Sequence, residues 1–372
     1  MVLLSLPLSL IGATASGWAV DGIDPAKGSS DPQRMLVWYD LQLLDVEGRG
    51  WTDTNAFYDR LPGKAEAIVR PEVWRLSRQS SGICVRFVTD ATTLYAQWTL
   101  GLDRLSEWNM TAVAISGLDL YVRHEGQWRW LAAGKPEKQA NEAVLFNQIL
   151  SGEREYLLYL PLYNVVSSIK IGLPQGSKLV KAEPYGKDRK PIVFYGTSIT
   201  QGGCASRPGM VYSAILGRRL NRPVINLGFR ANGNMDPELA TLMAELDPAM
   251  YVLDCLPNMT APEIAERVEP FVGVLRRAHP ETPILLAEDR TYPDGFLYPA
   301  RRERNEKSRL ALRAAFDRLQ AAGTAHLHYL PGTGLIGDDG EATVDASHPT
   351  DLGFVRQANA FEAVLRPLMM GE

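Results

Sequence analysis

The chain has 372 residues with 45% hydrophobic and 22% charged side chains, enough apolar material for two globular domains of ordinary composition. Thirty-nine basic residues stand against 43 acidic ones, a formal net charge of −4. That balance excludes the basic footprint of a nucleic-acid-binding protein, and the absence of a long single-sign run excludes a polybasic membrane patch.

The first element is an apolar run, Val2 to Ile11, followed by the small-residue stretch Gly12 to Gly17. It has the form of a signal-peptide h-region with Ala13-Thr14-Ala15 as the cleavage element, although no Lys or Arg precedes it. Residues 1–19 are therefore expected to be a signal peptide and the protein to be exported to the periplasm or secreted. The run is too short to span a bilayer and no Cys follows it, so no membrane anchor is expected.

Residues 32–184 read as an all-β sandwich. Short β-branched and aromatic runs recur at Ile83–Val88, Thr93–Leu100, Leu118–Val122 and Tyr156–Leu160, separated by Gly, Asp, Asn and Pro clusters. His124-Glu125-Gly126-Gln127-Trp128 reads as a hairpin turn, and six of the eight Trp fall between Trp51 and Trp130. The pattern changes after the polar stretch Tyr185–Lys190. From residue 190 to 372, five apolar strands (Pro191–Tyr195, Pro223–Leu227, Met250–Leu253, Pro283–Ala287, His326–Leu330) alternate with helical segments. These are Val211–Leu220, Pro237–Leu246, a helix opened by a capping box at Thr260 and Glu263, Arg301–Ala322, and Asp351–Leu365. Such alternation predicts an α/β domain with a flavodoxin-like parallel sheet covered on both faces, its site at the carboxyl ends of the strands.

Chemistry-bearing residues cluster at those ends. Ser198 lies in a Gly-Thr-Ser turn after the first strand, Gly228 ends the second, and Asn258 follows the third. Asp345 and His348 lie in a loop before the last helix. A serine hydroxyl needs an adjacent base, and His348, three residues after an acid that can orient it, suits that task best among the five His. The backbone N–H groups of Ser198 and Gly228 and the Asn258 amide are the candidate oxyanion donors. Arg230, Glu288 and Arg290 also follow strands and are candidate substrate contacts, with a structural ion pair as their alternative role. No Cys/His spacing suits a metal, and no phosphate-binding glycine loop is present, so neither metal nor cofactor is expected. Cys84, Cys204 and Cys255 do not make a disulfide framework; a Cys204–Cys255 bridge is possible, but buried free thiols fit the low, odd count better.

Taken in order, Tyr195–Gly202, Asn226-Leu227-Gly228, Pro257-Asn258 and Asp345-Ala346-Ser347-His348 resemble the sequence blocks of the SGNH/GDSL hydrolase superfamily. Thr197 stands where the usual pattern has Asp, and the third block lacks its usual Gly-x-Asn-Asp wording. Gly117-Leu118-Asp119-Leu120-Tyr121 is similar to the GxDLY signature of a β-sandwich that precedes one branch of that superfamily. The resemblance implies a serine carboxylic ester hydrolase with a Ser198–His348–Asp345 triad, acting on a small acyl ester or an acylated glycan, acetyl first. The alternative reading is a carbohydrate-binding protein with a degenerate hydrolase domain, in which Trp faces of the sandwich stack on sugars. The oligomeric state is not legible.

Overall fold

A computed structural model describes residues 22–186 and 189–370; the expected signal peptide lies outside the described residues. The N-terminal part is a sandwich of two antiparallel sheets. The first runs in the order Ser29–Asp31, Leu36–Asp40, Val166–Pro174, Leu94–Leu100 and Ala140–Phe146. The second runs Leu179–Lys181, Cys84–Thr89, Arg154–Tyr159, Leu118–His124 and Gln127–Gly134. Trp98, Ile169, Ile171, Phe87, Leu120 and Leu158 fill the space between them.

The two sheets read differently in sequence because they are buried differently. Leu94–Leu100 alternates buried and half-buried residues, the mark of one solvated face, whereas every residue of Cys84–Thr89 is buried. The second sheet packs its other face on the C-terminal domain, where Cys84, Tyr121, Leu157 and Tyr159 share an apolar cluster with Phe194, Ala214 and Ile215. The expected hairpin is present: Glu125 and Gly126, at φ of 49° and 75°, form the two-residue turn between Leu118–His124 and Gln127–Gly134.

The C-terminal domain contains β1 (Ile192–Gly196), β2 (Val224–Gly228), β3 (Met250–Asp254), β4 (Ile284–Ala287) and β5 (Leu327–Leu330), all parallel in the order β2-β1-β3-β4-β5. The helices are α1 (Ser198–Gln201), α2 (Tyr212–Leu220), α3 (Pro237–Met243), α4 (Ala261–Ala278), α5 (Pro299–Ala321) and α6 (Asp351–Met370). Alternate residues of each strand go to opposite faces. Val193, Tyr195, Leu227, Tyr251 and Leu253 pack with α3, α4 and α5 on one side. Ile192, Phe194, Met250 and Val252 pack with α2, α6 and the sandwich on the other. The Thr260–Glu263 capping box opens α4 as its residues require.

Residues 51–76 depart from the sequence reading. They fall within the range assigned to the sandwich, yet Trp51, Leu61, Ala65, Val73 and Leu76 are buried in the core of the C-terminal domain beside Phe229, Met235 and Leu239. The short helix Pro71–Ser77 lies in this stretch. It is joined to β2 by Arg60, which is 1% exposed and donates to the carbonyls of Leu76, Gln79, Asn226 and Gly228 at 2.7–3.0 Å. Burial pushes the Arg60 pKa down to about 9. Backbone carbonyls, together with the face of Phe229, take the place of a carboxylate partner.

The Gly117–Tyr121 signature acts at the boundary between the two parts. The Asp119 carboxylate is fully buried and accepts from the Arg207 guanidinium (2.9 Å), the Gly209 N–H (2.7 Å) and the Trp130 indole (2.9 Å). Tyr121 adds a hydroxyl acceptor for Arg207 at 2.5 Å. The motif therefore grips the loop between α1 and α2, the loop that leads away from Ser198.

Candidate active site

Ser198 is the first residue of α1, and the turn that presents it explains an anomaly in its sequence. Thr197 is the N-cap, extended at φ −98° and ψ −161°, with its hydroxyl accepting from the Ile199 N–H. The position demands an oxygen that caps the helix, which Thr supplies as well as the more usual Asp. The Ser198 carbonyl is held by the N–H groups of Gly202 (2.9 Å) and Gly203 (2.7 Å) and by the Tyr163 hydroxyl of the sandwich (3.0 Å).

Ser198 Oγ lies 2.8 Å from His348 Nε2, and His348 Nδ1 lies 2.8 Å from Asp345 Oδ2. The 150 residues between serine and histidine are bridged by the sheet. Asp345 Oδ1 also accepts from the backbone N–H groups of Ser347 (3.1 Å) and His348 (2.7 Å), an arrangement closed by Ala346 at φ 62°. Burial pushes the Asp345 carboxyl up. The His348 backbone and ring N–H groups and the Ser347 N–H more than offset this, leaving its pKa below the usual carboxylate value.

Gly228 does not sit as the sequence reading required. Its N–H donates to Asn226 Oδ1 at 2.9 Å and is not free for a substrate. The Asn226 amide in turn donates to the Thr200 carbonyl (2.6 Å), so this buried pair stitches β2 to α1. Gly228 is required for close packing: a Cβ there would meet the Gln201 backbone nitrogen and lie 2.6 Å from the Thr200 carbonyl carbon. Gly228→Ala is thus expected to destabilise the fold by about 1–3 kcal/mol through overpacking, read as a lower urea midpoint.

Three residues further along, the geometry is different. Ala231 adopts φ 56°, in the left-handed region that a side chain disfavours, and its N–H has no intramolecular partner among the described residues. The neighbouring Asn232 and Gly233 N–H groups lie 3.1 Å from the Asn258 amide oxygen in the orientation that satisfies both, which leaves Asn258 Nδ2 to donate elsewhere. The Ser198 N–H is likewise without an intramolecular acceptor among the described residues. Sequence reading missed Ala231 because nothing in an alanine advertises a backbone N–H.

The three charged candidates separate. Arg290 is 2% exposed, pairs with Asp289, and donates to the Ser347 carbonyl (2.7 Å) and hydroxyl (2.9 Å), so it supports the His348 loop from beneath. Glu288 is buried and accepts from the Tyr329 hydroxyl and the Gly332 N–H, with Arg309 3.6 Å away. Neither is free to meet a substrate, because Tyr329 of β5 and the Gly332 N–H engage Glu288, and Asp289 and Ser347 engage Arg290. Arg230 is exposed, and its guanidinium is 2.7 Å from both oxygens of Glu107, a residue of the sandwich.

All three cysteines are free and buried. The fold places the Cys204 thiol within 4.8 Å of ligand atoms of Asp345 and His348, a grouping that sequence spacing could not show. Burial, helped by Asp345, pushes that thiol up to about 12, and both His348 nitrogens are already engaged. The donor set is thus protonated or occupied, a poor fit for a metal ion. Among the described residues no helix is long and apolar enough to cross a membrane.

Comparison with known proteins identifies the family. Residues 189–366 match the model of the GDSL-like Lipase/Acylhydrolase family, and residues 36–179 match the GxDLY model, the N-terminus of SGNH-hydrolase-type esterases. A GDSL-like lipase from Bacteroides ovatus ATCC 8483 is 33% identical over 90% of this chain and 98% of its own, with a TM-score of 0.86. A salicylyl-acyltransferase from a tetracycline biosynthetic pathway shares the fold at 19% identity and TM-score 0.69, covering 92% of this chain and 96% of its own. An acetyl xylan esterase from the rumen bacterium Butyrivibrio proteoclasticus shares it at 12% and 0.56, covering 89% and 98%. No curated protein matches the sequence. The chain belongs to the GDSL-like lipase/acylhydrolase family, in its branch with an N-terminal GxDLY sandwich, and is a carboxylic ester hydrolase.

Proposed function

We propose that Ser198, His348 and Asp345 form a catalytic triad that removes a small acyl group, acetyl first, from a carbohydrate through an acyl-enzyme. The observation that carries this reading is the unbroken line of two 2.8 Å hydrogen bonds from Ser198 Oγ through His348 to Asp345. Ser198 Oγ attacks the ester carbonyl while His348 Nε2 takes its proton. The developing oxyanion is held by the N–H groups of Ser198 and Ala231 and by Asn258 Nδ2. Collapse of the tetrahedral intermediate expels the sugar hydroxyl, which receives the proton from His348. Water, with His348 again as base, then releases the acid.

A small acyl group suits a serine that is only 8% exposed, with Tyr163 of the N-terminal part on its carbonyl and Asn109 of the same part on Asp345. A sugar as the alcohol is consistent with the two-part fold shared with the acetyl xylan esterase. A stopped-flow burst of p-nitrophenol from p-nitrophenyl acetate, stoichiometric with enzyme and leaving one acetyl group on the Ser198 peptide, is the expected result. An acetyl group on any other residue, or turnover that survives in Ser198→Ala, would sink the proposal.

Asn258→Ala removes one oxyanion donor and is expected to lower kcat about 10²-fold or more with little change in KM. The same variant also loses the acceptor for the Asn232 and Gly233 N–H groups, so a stability in urea lower by about 1–2 kcal/mol is expected beside the loss of kcat. Export is inferred from Val2–Ile11 and Ala13-Thr14-Ala15. N-terminal sequencing of the mature protein from its native host should begin between Ser16 and Val20, after the Ala13-Thr14-Ala15 element and by the end of the expected leader; a chain still starting at Met1 would refute export.

A further inference from the structure

Among the described tryptophans, Trp108 has no structural employment. Trp98 is core, and Trp130 donates its indole N–H to Asp119 and stacks under Arg207. Trp108 is 81% exposed and makes no hydrogen bond, ring contact or cation contact among the described residues. Yet the turn that carries it is firmly held. Glu107 and Met110 exchange both backbone hydrogen bonds at 3.2 Å. The Glu107 side chain, 6% exposed, is clamped by Arg104 and Arg230, each at 2.7 Å. Asn109 reaches Asp345 Oδ2 at 3.4 Å, and Met110 is buried in the apolar cluster that includes Ile199 and Cys204.

The two neighbours of Trp108 therefore contact opposite flanks of the site. Asn109 touches the acid of the Ser198–His348–Asp345 line, and Glu107 holds Arg230, the residue just before Ala231. The indole between them is 81% exposed, on a turn whose other side chains include the charged Arg104 and Glu107 and the amide Asn109, with Arg230 paired to Glu107. A lipid or a second apolar surface covering the indole would also have to desolvate these neighbouring polar groups, an unfavourable exchange. A pyranose suits it: its C–H face covers an aromatic ring while its equatorial hydroxyls meet the surrounding polar groups.

We propose that Trp108 is the platform on which the sugar ring bearing the ester stacks, so that the sandwich supplies the leaving-group subsite of the active site. This rests on the ester-hydrolase reading above and adds the recognition of the alcohol. Trp108 is a specificity-determining residue in this scheme and takes no part in the proton transfers.

The test compares wild type, Trp108→Ala and Trp108→Phe on an O-acetylated xylo-oligosaccharide and on ethyl acetate, whose alcohol has no ring to stack, with acetate release followed by pH-stat. Trp108→Ala is expected to raise KM for the oligosaccharide about 10-fold or more, to leave kcat/KM for ethyl acetate within about two-fold, and to be largely rescued by Phe. Equal losses on both esters, or no loss on the oligosaccharide, would overturn the platform. If wild type cleaves ethyl acetate but not the oligosaccharide, titration of Ser198→Ala with the unacetylated oligosaccharide decides: a tryptophan-fluorescence change absent in Ser198→Ala/Trp108→Ala supports the platform, and no change overturns it. A concentration-dependent dimer abolished by Trp108→Ala also overturns it, by assigning the indole to a second copy. Absence of all Ser198-dependent turnover would instead refute the hydrolase reading itself.

Discussion

Alanine at Ser198 or at His348 is expected to lower kcat for p-nitrophenyl acetate by about 10⁴-fold or more, and the double variant to be no worse than either single one. The reason is the geometry of the pair: Oγ and Nε2 at 2.8 Å form one proton-transfer unit, so removing either half removes the whole. Residual activity would come from the oxyanion donors, which both variants retain. Asp345→Asn should fall in the same direction. An amide in place of Oδ2 can no longer accept from His348 Nδ1–H in the required tautomer, although Oδ1 keeps its backbone donors. Since the Asp345 carboxyl titrates below its usual range, mild acid does not reproduce this variant. Single-turnover kinetics on the purified variants check the ranking, and additive losses in the double variant would show that the two residues do not act together.

The residues of this site that were legible in the sequence are those whose proposed role lies in a side chain. Ser198, Asp345 and His348 fall at strand ends or in a loop before a helix, and an α/β sheet delivers such positions to one edge. The five strands were legible for a related reason, since strands buried on both faces are apolar throughout. Backbone donors were not legible. Gly228 looked like the oxyanion donor because glycine frees the backbone, but what glycine provides there is room for α1. The proposed donor is instead Ala231, whose φ of 56° lies in a turn with Asn232 and Gly233, the neighbours of the distant Asn258 amide. Glu288 and Arg290 misled for a different reason. A charge after a strand has the same appearance whether it faces a substrate or supports a loop, and the partners that decide, Tyr329 and Ser347, lie 41 and 57 residues away. The same limit hid Arg60, Tyr163 and Asn109, through which the N-terminal half completes the catalytic one.

The second large effect concerns stability against pH and centres on Asp254, at the end of β3 beside Gly196. Its carboxyl is 3% exposed and accepts from the Tyr212 hydroxyl at 2.8 Å, with Thr200 and Gln357 each at 3.4 Å. Burial pushes its pKa up to about 7, because these neutral donors and the more distant Arg290 do not compensate for lost water. The folded state therefore holds this proton more tightly than the unfolded chain, whose carboxyl has the ordinary value of 3.8. The stabilisation is fully present below about pH 4 and is lost as pH rises through about 7, a difference of about 4 kcal/mol across the window. Asp254→Asn keeps a neutral side chain of the same shape at every pH. It is expected to match wild type in urea midpoint near pH 4 and to exceed it progressively up to pH 8, with the gap approaching about 4 kcal/mol. Parallel stability curves over that range would show that Asp254 is already ionised in acid and that its donors outweigh burial. The outcome bears on catalysis too, since Thr200 belongs to the helix that begins with Ser198 and Gln357 to the helix that follows His348. Ionising Asp254 therefore places an uncompensated charge between the two elements that hold the nucleophile and its base.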